Sequence, residues 1–147
     1  MRISSRCILI EDGNVLLIYR ERDKEKYYVF PGGGIEENET KEDCIKRECK
    51  EELGIDIEIK KYLYQVKGKD FIQHFFLIKR TNGEIGTGNP EEYGINRKGG
   101  IQIPMFISID KLRGLNIVSP PIVSRFLKDY NNFGSNMDSV SKIIEDY

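Results

Sequence analysis

The apolar residues of this chain fall into short runs separated by polar breaks, a pattern that predicts strands. Two runs flank Asp12-Gly13-Asn14 within CILIEDGNVLLIY, residues 7–19, and predict a β-hairpin. The charged segment 21–26 that follows predicts a solvated loop, and YYVF, residues 27–30, predicts a short strand. The breaker cluster PGGG, residues 31–34, predicts another loop.

A helix is predicted after these glycines. Thr40 can cap its N-terminus, with Asp43 three residues later in a capping-box-like position. The helix runs to Leu53, and Gly54 takes the position beyond the last turn that glycine favours.

The second half of the chain predicts three more strands and a long loop. Residues 55–66 and 70–80 are rich in Tyr, Phe and Ile, as strands are. The polar, glycine-rich segment 81–100 predicts a loop, and loops of this length are commonly functional or disordered. IQIPMFISI, residues 101–109, predicts a strand at a sheet edge or bulge because of its proline.

The C-terminal segment predicts a second helix, from Ser119-Pro120 to about Tyr130. The tail of residues 131–147 is polar and ends in SVSKIIEDY, which predicts a loosely docked helix. No repeat or linker divides the sequence, so residues 1–147 are predicted to form one domain. The fold class is α+β, because strands dominate without a regular βαβ alternation.

Composition and net charge limit the classes of partner that this protein is expected to bind. A formal net charge of −1 gives no overall attraction to nucleic acid or to a membrane surface. No apolar run approaches the roughly 18 residues that span a bilayer, and the N-terminus does not resemble a secretory signal. Cys7, Cys44 and Cys49 lack CxxC spacing and are interpreted as small buried hydrophobes in a reducing, cytoplasmic setting.

The segment RECKEELG, residues 47–54, crowds three glutamates at the C-terminal end of the predicted helix. At about 100° per residue, Glu48 and Glu52 border the apolar stripe, where burial raises the cost of a charge. Like charges at these spacings also repel. Such a patch needs protonation, basic partners or a cation. The helix alone leaves two alternatives open, a site for a hard divalent ion and a structural salt-bridge network in which Arg47 pairs with Glu51.

The flanking residues resemble the Nudix box. Gly33, five residues, Glu39, seven residues and then RECKEELGI reproduce the family's glycine, glutamate and arginine positions at their spacing over 23 residues. Cys49 stands where the family has an aliphatic residue, and Asn38 stands where glycine is common. The resemblance implies a Nudix α/β/α sandwich around a mixed sheet, with the box helix and a C-terminal helix.

The resemblance also implies a metal-dependent hydrolase that cleaves a nucleoside diphosphate linked to a moiety X. Mg²⁺ or Mn²⁺ would be held by Glu48, Glu51, Glu52 and a backbone carbonyl near Gly32. The three glutamates are the candidate catalytic residues, with Glu51 either a ligand or the acceptor of the water's proton. Glu39 and Arg47 are interpreted as an architectural pair that ties the loop to the helix.

Residues outside the box complete the candidate site. Some relatives take a catalytic base from a later loop, which makes Glu92, with Glu91 beside it, a candidate; two solvated loop acids are the alternative. Arg20 is a candidate phosphate contact, or else an ordinary strand-end arginine. Tyr28 and Phe30 are candidates for a base-stacking pocket, or else core aromatics.

The absence of several subclass motifs reduces the number of candidate substrates. The proline of ADP-ribose-type members is absent between Ile55 and Asn89, and the marks of the NADH, coenzyme A and dinucleotide types are also missing. The predicted reaction is therefore (d)NTP to (d)NMP and pyrophosphate, as in MutT-like housecleaning. A nucleotide-sugar or dinucleotide pyrophosphatase and a non-catalytic nucleotide-binding module are the alternatives, and a homodimer is one option for the assembly.

Overall fold

The chain forms a mixed sheet with helices on both faces, seen in a computed structural model that describes residues 1–88, 94–97, 100–139 and 142–145. The strands are β1 (Arg2–Glu11), β2 (Asn14–Arg22), β3 (Glu25–Val29), β4 (Gly32–Gly34), β5 (Asp56–Lys67), β6 (Phe71–Asn82), β7 (Gly94–Arg97), β8 (Gly100–Ser108) and β9 (Lys142–Glu145). The helical segments are α1 (Lys41–Glu48), a π-helical turn (Cys49–Leu53), a 3-10 helix (Ile109–Gly114), α2 (Pro120–Phe133) and a second 3-10 segment (Gly134–Ser139).

The sheet is organised around β1. Its strand order is β7-β8-β2-β1-β6-β5-β9, with β3 added to β2 and β4 added to β1. β1 runs parallel to β6 and antiparallel to β2 and β4, so the sheet is mixed. Because β4 pairs with the first half of β1 and β2 with its end, β1 joins the two halves of the sheet.

Alternate residues of β1 serve two separate cores. Cys7 and Leu9 face the cluster that contains Ile45 of α1, whereas Ile8 faces the cluster that contains Phe126 of α2. Successive side chains of a strand point to opposite faces, so one strand can supply both cores. The result is an α/β/α sandwich, and the predicted fold class is confirmed. No helix of the described ranges is long and apolar enough to cross a membrane.

Two predicted loops in the first half of the chain are wrong. The charged segment 21–26 extends the hairpin of β2 and β3, which turns at Asp23 and Lys24, both with positive φ. Glu21 pairs with Lys26 in this ladder and Arg22 with Glu25, so opposite charges face each other across the strands.

The predicted PGGG loop contains a strand, because Gly32–Gly34 pairs with Ser4–Arg6. Gly32 has a φ of 147°, and a Cβ at this position would collide with the Ser5 carbonyl of the neighbouring strand. Glycine is therefore required by the close approach of two backbones, and local turn propensity alone does not reveal that approach.

The predicted C-terminal helix is also wrong. Residues 142–145 form β9, which pairs in parallel with Tyr64–Lys67 of β5. The β-branched pair Ile143-Ile144 suits a strand, and Ile144 packs on the core that contains α2. Elsewhere, the strand β7 lies within the predicted loop 81–100, and α2 continues to Phe133, beyond its predicted end near Tyr130.

One buried hydrogen bond links β5 to α2. The Tyr64 hydroxyl donates to Asp129 Oδ2 at 2.6 Å, and both residues are buried. Arg125 Nε also donates to this oxygen, at 3.2 Å. A buried carboxylate needs such donors, so the contact holds the helix in register on the sheet.

Replacing Tyr64 by Phe should lower the free energy of unfolding by about 1–3 kcal/mol, because the Asp129 carboxylate loses a donor in a buried place. Urea denaturation would measure the loss. Tyr130→Phe is the matched control on α2, since its hydroxyl has no hydrogen bond to the described residues. Equal losses for the two variants would contradict this role for Tyr64.

Candidate functional site

The box helix is built as the sequence predicts, except at its end. Thr40 Oγ1 accepts the Asp43 N–H at 3.0 Å and caps α1. The last turn is π-helical over Cys49–Leu53 and stops at Gly54, whose φ of 79° is left-handed. A π-turn is wider than an α-turn and frequently marks a functional site.

This widened turn separates the glutamates by environment. Glu52 is 8% exposed, and the Glu48 side chain is 17% exposed. The Glu51 side chain is 52% exposed and lies at the rim. The predicted burial of Glu48 and Glu52 beside the apolar stripe is therefore confirmed, while Glu51 does not share their environment.

Glu52 is fixed by donors from two strands. The Gly32 N–H of β4 donates to its Oε1 at 3.0 Å, and Gln102 Nε2 of β8 donates to its Oε2 at 3.2 Å. Gln102 is 4% exposed, so this contact is sheltered from water. A carboxylate held through both oxygens in a buried place has a defined orientation.

Glu48 lies beneath the glycine-rich strand. Its Oε1 accepts a hydrogen bond from Arg47 Nη1 at 3.0 Å. Burial raises the pKa of the Glu48 carboxyl, and the charge of Arg47 opposes this shift. A Cβ on Gly33 would collide with this carboxylate, so glycine leaves the space in which it sits.

Arg47 is the cation that several of these groups share. Its Nε and Nη2 donate to the two oxygens of Glu39 at 2.7 and 3.0 Å, a bidentate pair. Nη1 also donates to Glu51 at 3.2 Å, and Nη2 to the Gly34 carbonyl at 3.1 Å. Hydrogen bonding to Glu39 is the largest cause that raises the pKa of Arg47. The predicted loop-to-helix pair is present and reaches β4 as well.

Two residues of this site were missed in the sequence: Arg6 and Gln102. Arg6 Nη1 donates to the Phe30 carbonyl at 3.1 Å and to the Gly32 carbonyl at 3.2 Å. Gln102 is a polar residue inside an otherwise apolar strand, which was the available signal. Arg6 follows Arg2, Ser4 and Ser5 in β1 and gave no such contrast. Their partners are far away in the sequence, so only the sheet register brings them to Glu52.

The predicted substrate-contacting residues lie on β2, on β3 and in the turn after β3. Arg20 pairs across the sheet with Gln102, the residue that donates to Glu52. Arg20 places its guanidinium over the Tyr27 ring at 5.9 Å. Tyr28 contacts the Tyr19 ring at 5.2 Å and pairs with Ile117.

Phe30 is 3% exposed and packs edge-on against Phe75 and Phe126, so it occupies a core position. Glu91 and Glu92 lie outside the described residues.

The donor chemistry fits a hard divalent ion, although the glutamates do not converge on one point. Within the described ranges, no group of three His, Cys, Asp or Glu side chains is arranged to hold a metal. Glu48 and Glu52 nevertheless meet the glycine strand from one helix, and oxygen ligands of this kind suit Mg²⁺ or Mn²⁺.

All three cysteines are buried and unbridged, as predicted.

A family model of the NUDIX domain matches residues 1–115. The chain belongs to the Nudix hydrolase family. An 8-oxo-dGTP diphosphatase of Buchnera aphidicola is 32% identical over 114 residues, which cover 70% of this chain and 76% of that protein. A putative nudix hydrolase 1 of Caenorhabditis elegans is 33% identical over 85 residues, 56% of this chain but only 23% of that longer protein.

Solved structures share the fold at low identity. An ADP-ribose pyrophosphatase of Streptococcus suis has a TM-score of 0.68 and 16% identity over 99% of this chain and 98% of that chain. A MutT protein of Bacillus halodurans has a TM-score of 0.67 and 20% identity over 86% of this chain and 82% of that chain. At this level of identity the solved structures share the fold with this chain.

Gly33→Ala should lower turnover about tenfold to a hundredfold, because its Cβ would push the Glu48 carboxylate out of place. Gly34→Ala is the matched control, since a Cβ there meets no atom within 4 Å. Steady-state kinetics and thermal unfolding of both variants make the comparison. Full activity of the Gly33 variant would contradict the importance of this space.

Glu39→Gln should lower the free energy of unfolding at pH 7 by about 1–2 kcal/mol through loss of a charge-assisted pair. Arg47 lowers the pKa of Glu39 from 4.5 to about 2, so the native state favours the ionised carboxylate. The contribution is complete above about pH 4.5 and is lost as the pH falls towards 2. Denaturation between pH 2 and 7 should therefore show the variant and the parent converging in acid.

Glu36→Gln is the control for this pair, because that side chain is 68% exposed and lies 3.6 Å from Arg47. It should change stability by only a few tenths of a kcal/mol. A pH-independent difference between the Glu39 variant and the parent would show that the carboxylate charge is not what stabilises the loop.

Proposed function

We propose that this chain is a metal-dependent pyrophosphohydrolase that converts a (d)NTP and water to a (d)NMP and pyrophosphate. The observation that carries the proposal is the pair of sheltered carboxylates, Glu48 and Glu52, held against Gly32–Gly33 by donors from three elements. Nudix hydrolases generally use divalent metal ions. Sheltered carboxylate oxygens suit that use.

Each residue of the site has a proposed task. Glu48 and Glu52 would hold the ion, with the Gly32 carbonyl and Glu51 as further ligands. A bound divalent ion supplies charge for the pyrophosphate oxygens and lowers the pKa of a bound water. Glu51 is exposed at the rim, where it can accept the proton of the attacking water. Arg47 and Glu39 hold the loop and the helix together while the substrate binds.

Relatives support a nucleoside triphosphate as the substrate. The Buchnera aphidicola protein and a Proteus vulgaris protein, 28% identical over 91 residues, are both 8-oxo-dGTP diphosphatases. An RNA pyrophosphohydrolase of Campylobacter jejuni and an ADP-ribose pyrophosphatase of Methanocaldococcus jannaschii are similar at 30% and 33% identity. The elimination of subclass marks in the sequence favours the first class over the others.

The reaction is tested with a panel of dNTPs, including 8-oxo-dGTP, and of ADP-ribose, sugar nucleotides and dinucleotides, with Mg²⁺ or with EDTA. We expect Mg²⁺-dependent release of a nucleoside monophosphate, most rapid with a nucleoside triphosphate. A preference for ADP-ribose or a sugar nucleotide would show that the proposed substrate class is wrong, while the proposed pyrophosphate hydrolysis would stand. No turnover of any member would favour the non-catalytic nucleotide-binding module.

Glu52→Gln should reduce turnover about a hundredfold or more while the fold is retained, because the amide oxygen can still accept the Gly32 N–H. Glu42→Gln removes an exposed charge from the first turn of the same helix and is the matched control. Turnover and circular dichroism of both variants separate catalysis from folding. Normal turnover of the Glu52 variant would show that Glu52 is not a metal ligand in this reaction.

A further inference from the structure

The half-buried Arg6 of β1 reaches the carboxylate site through the backbone of Gly32. Its Nη1 donates to the Phe30 carbonyl at 3.1 Å and to the Gly32 carbonyl at 3.2 Å. The Gly32 N–H donates to Glu52 in turn, so one glycine connects the guanidinium to the carboxylate. Arg6 therefore binds the turn between β3 and β4 on which the site is built.

The surroundings of Arg6 are those of a charge-balancing cation. Burial lowers its pKa most, and the charges of Glu52 and Glu48 oppose this shift. Both carboxylates thus act on Arg6 electrostatically, whereas Arg47 contacts Glu48, Glu51 and Glu39. Arg6 thus adds positive charge near Glu52, and charge of this kind lowers the cost of a sheltered carboxylate.

We propose that Arg6 is a built-in cation that neutralises the carboxylate site when no divalent ion is bound and competes with that ion for the Gly32 carbonyl. The inference rests on the metal site of the proposed function. It concerns how the site tolerates the absence of metal and how tightly metal binds. Arg6 is a positioning residue in this scheme, because it acts through Gly32 and Glu52.

The structure offers Arg6 a second place to lie. Its side chain lines a cavity of about 320 Å³ together with Arg2, Ser4 and Gln73. The Oε1 atom of Gln73 is buried and has no hydrogen-bond partner among the described residues. A guanidinium displaced from the Gly32 carbonyl can turn into this cavity and donate to that acceptor, which would keep its charge solvated by the protein.

The test is Mn²⁺ binding without substrate, followed by electron paramagnetic resonance of the free ion. Arg6→Gln should bind Mn²⁺ about tenfold more tightly than the parent, since removal of one nearby positive charge favours a cation. Arg6→Lys keeps the charge and should bind within about twofold of the parent. Arg2→Gln, which removes an exposed charge from the same strand and cavity, is the matched control and should also change little.

A second measurement is thermal unfolding in EDTA and in Mg²⁺. The parent should gain less thermal stability from Mg²⁺ than Arg6→Gln does, because Arg6 already supplies positive charge beside the carboxylates. Arg6→Gln should unfold several degrees lower in EDTA and regain most of that loss in Mg²⁺. This dependence on metal distinguishes charge compensation from a hydrogen bond that only holds the turn.

Three results would overturn the proposal. Unchanged or weaker Mn²⁺ binding by Arg6→Gln would mean that Arg6 does not compete with the ion. If Arg6→Gln loses the same stability in EDTA and in Mg²⁺, Arg6 only holds the turn between β3 and β4 and does not compensate charge. If Arg2→Gln tightens Mn²⁺ binding as much as Arg6→Gln does, the effect comes from the net charge of the protein and not from the position of Arg6. None of these three measurements depends on turnover. If the variants bind Mn²⁺ as expected but the protein hydrolyses no substrate, the proposed function is wrong and the role of Arg6 stands.

Discussion

The repulsion among the box glutamates is the constraint on which the rest of the site depends. Ile45, Cys49 and Leu53 anchor one face of the box helix in the core, and Glu48 and Glu52 are sheltered beside them. Burial raises the pKa of the Glu48 carboxyl. Arg47 donates to Glu48, and Arg6 donates to the carbonyl of Gly32, whose N–H donates to Glu52. The glycine strand, the loop before α1 and the turn before β4 supply the groups that these two arginines contact.

The glycines are the second part of this solution. Gly32 lets β4 approach β1 closely, which points its N–H at Glu52 and its carbonyl at Arg6. Gly33 leaves the volume that the Glu48 carboxylate fills. A side chain at either position would separate charges that are stabilised only at short range. The Nudix spacing thus has a steric origin as well as a chemical one.

Local sequence signals predicted most of the architecture. The Thr40 cap, the Gly54 stop and the hairpin at Asp12-Gly13 depend on contacts within a few residues, and the structure contains all of them. The errors were made where pairing with a distant strand decides the conformation. Gly32–Gly34 becomes a strand because β1 is beside it, and Lys142–Glu145 becomes one because the edge of β5 is open.

The sequence by itself determined the family, the α+β class and the identity of the glutamate cluster, because these are encoded in spacing along one helix and its flanking glycines. Tertiary structure decided which carboxylates are sheltered and which cations meet them. Arg6, Gln102 and Glu52 are separated by tens of residues and come together only through strand register. Electrostatic balance in a folded site depends on distances in space, and a linear motif carries only the spacing of its own residues.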